Sequence, residues 1–211
     1  MSKSTYALGL DVSSKTIGIA VFDIATKKLI MLKHVSPVVK PLPDSNMEVL
    51  FKKANIFREE FLNVYHDFGI TKVVIEEPLL RSNNVNTVAT LLRFNGMVAR
   101  DVYEILGVVP EFISSYDSRK YAYPELMSVR THKKKDNTPL SDKEIAKNKP
   151  VLFGAYDDKV DKKMVVWEKV ADLEPQIEWF YDKKNKLKNE NFDMTDAYTC
   201  IRAVMQRDGL W

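Results

Sequence analysis

The chain has 211 residues, 45% hydrophobic and 29% charged content, and a formal net charge of +3. That length and composition suit one domain with a real core, and the charge is too small to name a partner unless it is clustered. Cys200 is the only cysteine, which excludes an internal disulfide and a cysteine-based zinc site and points to a reducing compartment. The start, MSKSTYALGL, lacks an apolar stretch before a cleavage site, and no apolar run approaches a membrane span. A soluble, cytoplasmic protein with no membrane partner is therefore expected.

In chain order, Tyr6 to Val12 alternates as a strand does, with Leu8, Leu10 and Val12 on one face and Ala7, Gly9 and Asp11 on the other. Ile17 to Phe22 and Leu29 to Val35 follow across short turns, so the first unit reads as an antiparallel meander. Pro37, Pro41 and Pro43 make an irregular link, after which Asp44 or Ser45 offers an N-cap. Met47 to Phe68 repeats apolar residues at Leu50, Ala54, Phe57, Phe61, Leu62 and Tyr65, which predicts one helix ending at Gly69.

Thr71 to Glu76 is a buried strand, because Val73 to Ile75 are apolar without alternation. A second helix is expected from Val85 to Leu106, with Gly107 just past its end, and a further strand from Val109 to Ser114. The order β-β-β-α-β-α-β gives three antiparallel strands feeding parallel ones through a helix crossover. Composition changes from Arg119 to Pro150, where RTHKKKDNTPLSDKEIAKNKP has many lysines and little periodicity. The stretch reads as an insertion, loose at least in part. Lys162 to Phe180 suggests another helix, interrupted by Pro175, then Lys183 to Lys188 forms a basic run, and an apolar-striped helix from about Met194 to Arg207 ends the chain.

Acids stand where structure alone does not need them. Asp11 ends the first strand, Glu76 (followed by Glu77 and Pro78) ends the fourth, and Asp193 and Asp196 open the last helix. Carboxyl ends of parallel strands line the crevice where ligands bind. The spacing of Asp193 and Asp196 puts both on the face that continues through Ala197, Cys200, Ile201 and Val204 and packs on the sheet. Each acid has an ordinary reading too: a turn-starting Asp11, a solvated strand-end pair at Glu76 and Glu77, an N-cap at Asp193 with a dipole-favoured Asp196. Together they are harder to explain, because converging carboxylates repel unless cations neutralise them. With no histidine or cysteine in the set, hard oxygen ligands select magnesium or manganese over zinc. Two such ions about 3.5–4 Å apart can serve an in-line phosphodiester displacement. Small residues at Gly9, Ser13 and Ser14 would leave room for a phosphate backbone beside Asp11.

LGLDVSSKTIGIAVFD, VVIEEP at the end of the fourth strand, and NFDMTDAY on the last helix resemble the RuvC-type Holliday-junction resolvases of the RNase H-like fold. The likeness spans about Tyr6 to Ser115 and Asn191 to Val204. The implied fold is α/β, a mixed five-stranded sheet flanked by helices, in one nuclease domain over 1–211 with a lysine-rich insertion over 119–190 before the last helix. The longer insertion resembles that of the more divergent phage-borne members.

The resemblance implies that Asp11, Glu76, Asp193 and Asp196 are catalytic and hold two Mg²⁺ ions, for which Mn²⁺ would substitute. It implies a homodimer formed through the helix Val85 to Leu106, acting on four-way or branched DNA with symmetric nicks. Lys15, Arg81, Lys120, Lys133, Lys134 and Lys135 are candidate DNA contacts, with solvated lysines as the ordinary alternative. Tyr116, Tyr121, Tyr123, Phe153 and Tyr156 offer stacking faces around the first basic run. Where the family often carries an aromatic wedge after the fourth-strand Glu, this chain has Leu79, Leu80 and Arg81.

Other readings stay open: an RNA- or flap-cutting nuclease similar to the YqgF type, or a non-catalytic nucleic-acid-binding relative. An actin-like nucleotide switch would need a second half for which 211 residues leave no space.

Overall fold

A computed structural model describes residues 5–40, 46–78, 84–129, 138–148, 150–152 and 161–211. Arg81, Lys133, Lys134, Lys135, Phe153 and Tyr156 lie outside the described residues, as do Leu79 and Leu80.

The centre is a five-stranded sheet of order β3-β2-β1-β4-β5. Strands β1 (Tyr6–Val12), β2 (Ile17–Asp23) and β3 (Leu29–Val35) form the antiparallel meander. β4 (Ile70–Glu76) pairs parallel with β1 on its other side, and β5 (Glu111–Ile113) pairs parallel with β4. The expected fold class is therefore the observed one. β5 is shorter than the predicted Val109 to Ser114, because it pairs only with Val74 to Glu76, and Ser114 instead caps the next helix.

Alternation along β1 divides the core. Leu8, Leu10 and Val12 face α1 (Asn46–Phe57) and α2 (Val85–Leu106), whereas Ala7, Gly9 and Asp11 face α6 (Glu190–Arg207). Burying the apolar side chains on both faces supplies the main drive for this three-layer arrangement.

The predicted helix Met47 to Phe68 is broken into α1, a π-turn over Arg58–Leu62 and a 3₁₀ turn over His66–Phe68. In the wider turn the Asn63 amide donates to the Arg58 carbonyl at 2.9 Å, and Phe57, Phe61 and Leu62 are all fully buried. An i→i+5 turn rotates the backbone so that adjacent residues 61 and 62 can both reach the core.

α2 begins under Asn84, whose side chain accepts from the Asn86 and Thr87 amides, and stops at Gly107 in the left-handed region (φ 68°). Its buried Asn95 donates from Nδ2 to the Val12 carbonyl (3.1 Å) and the Leu91 carbonyl (3.0 Å), which ties the helix to the tip of β1.

The stretch from Ser114 holds a helix the periodicity missed, α3 (Ser115–Ala122), capped by Ser114 accepting from the Asp117 amide. It packs along α6, so Arg119 and Lys120 sit on an ordered helix at the start of the expected insertion. β6 (Met127–Val129) and β7 (Pro150–Leu152) pair as a separate two-stranded sheet, with α4 (Asp142–Ile145) between them in sequence. α5 (Lys162–Leu173) stops short of the predicted Phe180, since Pro175 removes a backbone donor and restricts its predecessor. The Lys183 to Lys188 run forms a tight hairpin whose turn is held by Asp182 accepting from the Lys184 and Lys186 amides.

α6 starts at Glu190, ahead of the predicted Met194, so Asp193 lies inside the first turn and is not the N-cap. Buried Asn191 anchors this start by donating to the Phe180 and Lys188 carbonyls. Among the described residues no helix is long and apolar enough to cross a membrane.

Candidate metal centre

β1 and β4 run side by side, with Leu10 opposite Ile75, so the next residues along each strand, Asp11 and Glu76, emerge together at the same end of the sheet. Both point to the face covered by α6, where Asp196 meets them from the helix's second turn. One carboxylate oxygen from each of Asp11, Glu76 and Asp196 lies within 4.8 Å of the other two. Asp193 is not within that triad but lies close enough to raise the Asp11 pKa by its charge, and the Thr16 hydroxyl donates to it.

The helix reaches this close because of two glycines. A Cβ on Gly18 would overlap the Asp193 carbonyl and lie 2.8 Å from the Met194 nitrogen. A Cβ on Gly9 would overlap the Ala197 carbonyl and lie 2.8 Å from Ile201 Cβ. The expectation that Gly9 leaves room for a phosphate is therefore corrected, because α6 backbone fills that space. Ser13 is also committed, since its hydroxyl donates to the Thr16 carbonyl (2.9 Å) and accepts from the Lys15 and Thr16 amides. Glu77 is exposed, as its solvated reading requires.

Burial and mutual repulsion set the electrostatics. Asp11 is raised well above the ordinary carboxylate range, first by burial and then by the charges of Glu76, Asp196 and Asp193. Burial, then Asp196, pushes Glu76 up to about 8. Burial lifts Asp193 to about 6, opposed by Lys163. Asp196 is raised by burial, against the pull of Arg119 and Lys163. A polar group that crowds like charges in a buried place, without enough local cation, fits the binding of cations.

The donor set is all oxygen. Cys200 Sγ lies 3.7 Å from Glu76 Oε2 and donates to it. Burial and the neighbouring acids keep this thiol protonated, well above its ordinary value. A hard divalent ion fits these residues, and a thiophilic one gains no thiolate.

Two cations that the sequence did not single out stand beside Asp196. Arg119 Nη2 is 4.0 Å from Asp196 Oδ1, and Lys163 Nζ is 3.9 Å from Asp196 Oδ2. Lys163 left a trace in the sequence: with Lys162 it occupies the first turn of α5, where the helix dipole disfavours positive charge. Arg119 sits in the last turn of α3, an ordinary place for a cation, and left none. Of the predicted DNA contacts within the described residues, Lys15 is exposed on the turn after Asp11. Lys120 is exposed with its ammonium 5.2 Å from the centre of the Tyr121 ring.

No protein-family model matches the sequence, and no curated protein does. Among solved structures the chain is similar to T. thermophilus RuvC in complex with Holliday junction substrate. The TM-score is 0.54 at 12% identity, over 98% of this chain and 97% of that one. A second Thermus thermophilus RuvC structure matches with a TM-score of 0.50 at 17% identity, over 97% and 96% of the two chains. At such identities the likeness is one of fold. The chain has a RuvC-type, RNase H-like fold.

Proposed function

We propose that this protein is a structure-specific endonuclease that resolves four-way or branched DNA by two-metal-ion phosphodiester hydrolysis. The observation that carries the reading is the meeting of Asp11, Glu76 and Asp196, from two strands and a helix distant in sequence, within 4.8 Å at one end of the sheet. The similar T. thermophilus RuvC is described with a Holliday junction substrate, which supports branched DNA as the substrate class.

Asp11, Glu76 and Asp196 would hold the ions, Mg²⁺ or Mn²⁺, with Asp193 at the outer edge of the set. When bound, such ions supply activation of water and stabilisation of the leaving oxygen. The chain's own contribution is position and charge. β1 and β4 fix two carboxylates side by side, and the close approach of α6 fixes the third. Arg119 and Lys163 place positive charge beside the acids, where a phosphodiester would lie. The products are a 5′-phosphate and a 3′-hydroxyl.

The protein works as a homodimer through α2. Val85 is 77% exposed, Leu92 46% and Tyr103 56%, and with exposed Gly96 they fall on one stripe of that helix. A two-fold pair of sites suits the two symmetric nicks that resolution of a junction needs. In this reading 1–211 is one nuclease domain, 119–190 is its lysine-rich insertion, and the setting is the cytoplasm of a bacterium or of a phage-infected one.

The test is cleavage of a synthetic four-way junction beside a linear duplex, a flap and a structured RNA, with Mg²⁺ or EDTA. Paired symmetric nicks on the junction, lost in EDTA and in Asp11→Asn, are expected. Cutting mainly of flap or RNA would transfer the same centre to a different substrate, and no cutting of any of the four would overturn the nuclease reading.

A further inference from the structure

The acids occupy the α6 face of the β1 tip. On the opposite side of the same tip lies a small open groove of mixed polar and apolar lining, with a cavity volume of 240 Å³. One wall is Ser14 in the turn after Asp11, and the other is the first turns of α2, with Asn86, Thr87, Thr90 and Leu91. Asn95 holds the two walls together through its bonds to the Val12 and Leu91 carbonyls, so the groove is preformed. Asn84 already accepts from the Asn86 and Thr87 amides, so α2 presents side chains to the groove, not free backbone donors.

Among the described residues, the Ser14 and Thr87 hydroxyls and the Asn86 side-chain amide have no hydrogen-bond partner. Two lysines adjoin the Ser14 wall without lining the groove itself. Lys53, half-buried on α1, donates to the Ser14 carbonyl and keeps two further N–H groups. Lys15, the next residue, is exposed, and neither lysine pairs with a carboxylate among the described residues. Burial, and then the charge of Lys15, lower the pKa of Lys53. Like charges held together beside unpartnered donors are relieved by an anion.

We propose that this groove binds a backbone phosphate of the nucleic-acid strand whose neighbouring phosphodiester lies at the acids, with Lys53 and Lys15 as its cations and Ser14, Asn86 and Thr87 as its neutral donors. The inference rests on the nuclease reading and deepens it by giving the substrate strand a path. The strand crosses the β1 tip from Arg119 and Lys163 on one side to Lys53 and Lys15 on the other. Lys53 comes from α1, far from every acid in sequence, and only the fold brings it to the turn.

The experiment is fluorescence anisotropy of a labelled four-way junction in EDTA, across a salt series, for the parent, Lys53→Met and Thr87→Val. Lys28→Met, on the turn at the other end of the sheet, is the control. Loss of one phosphate contact should flatten the slope of log K against log salt by about one and weaken binding roughly eight-fold near 0.1 M salt in Lys53→Met. Thr87→Val should weaken binding less, with the slope kept, and Lys28→Met should match the parent. The rise in Tm on adding Mg²⁺ should be the same in all four proteins.

An unchanged slope and affinity in both Lys53→Met and Thr87→Val overturns the groove while leaving the nuclease reading intact. A Mg²⁺ response lost in Lys53→Met also overturns it, because Lys53 would then serve only to hold the turn that carries Asp11. A parent that binds no branched DNA overturns the nuclease reading itself.

Discussion

Asp11 lies directly opposite Gly18 across the β1–β2 ladder, and the side chain that Gly18 lacks is what admits the Asp193 carbonyl of α6. The strand residue that bears a carboxylate and the strand residue that bears nothing thus form one unit. The first supplies the charge, and the second lets the helix carrying the other acids come within reach.

Gly18→Ala and Gly9→Ala should each push α6 off the sheet, because the new Cβ meets backbone that cannot rotate away. Overpacking of this kind costs about 1–3 kcal/mol. Urea unfolding should show that loss, and the Tm rise on adding Mg²⁺ should shrink as the acids separate. A variant with parental stability and parental Mg²⁺ response would refute the role given to these glycines.

The metal-free protein should lose stability as pH rises from about 5 to 8. Glu76 holds its proton up to about 8 in the fold against an ordinary value of 4.5. Between those values the native state binds more protons than the unfolded one, so stability falls with pH. Asp193, raised to about 6, adds a loss at the lower end of the window. Bound Mg²⁺ should reverse the trend, so the Tm gained from Mg²⁺ should be larger at pH 8 than at pH 6. Thermal melts in EDTA that are flat across this range would contradict the clustering of charge.

Asp11→Asn should abolish cleavage and at the same time raise the Tm of the metal-free protein at pH 8. It removes a buried carboxyl whose ionisation the neighbouring acids and burial oppose, while keeping the shape. Losing about 4 kcal/mol of transition-state stabilisation would slow the reaction roughly a thousandfold. Junction binding in EDTA should persist. A variant that cuts as fast as the parent would remove Asp11 from the metal centre.

Arg119→Met should tighten Mg²⁺ binding and weaken junction binding. Arg119 lies 4.0 Å from Asp196 and so opposes a cation placed at the acids while attracting a phosphate. Calorimetric titration of Mg²⁺ and anisotropy of the labelled junction would show shifts of a few-fold in opposite directions. Both affinities moving the same way would mean that Arg119 acts only through packing of α3 on α6.

Leu92→Glu together with Tyr103→Glu should convert a dimer to a monomer by sedimentation velocity, with the Tm little changed. Both side chains are exposed on α2 in a single chain, so their replacement removes no core contact. A parent that sediments as a monomer would exclude α2 as a dimer helix.

The order of elements along the chain, the helix crossover and the places of Asp11, Glu76 and Asp196 on their elements were legible in the sequence. Period-two alternation along Tyr6 to Val12 and the apolar stripe after Asp196 are local signals, written within a few residues of the element they specify. It did not reveal α3, whose Ser114 cap is a single residue in a weakly apolar stretch, nor the π-turn at Arg58–Leu62, which only a burial demand at Phe61 and Leu62 requires. Nor did it show that Gly9 and Gly18 serve helix packing, or that Arg119, Lys163 and Lys53 reach the β1 tip. Those are pairings between residues far apart in the chain, and composition and period carry no record of them. They exist only once the sheet has closed and α6 has settled on its glycines, because which charge faces which is decided by packing and not by neighbourhood in sequence.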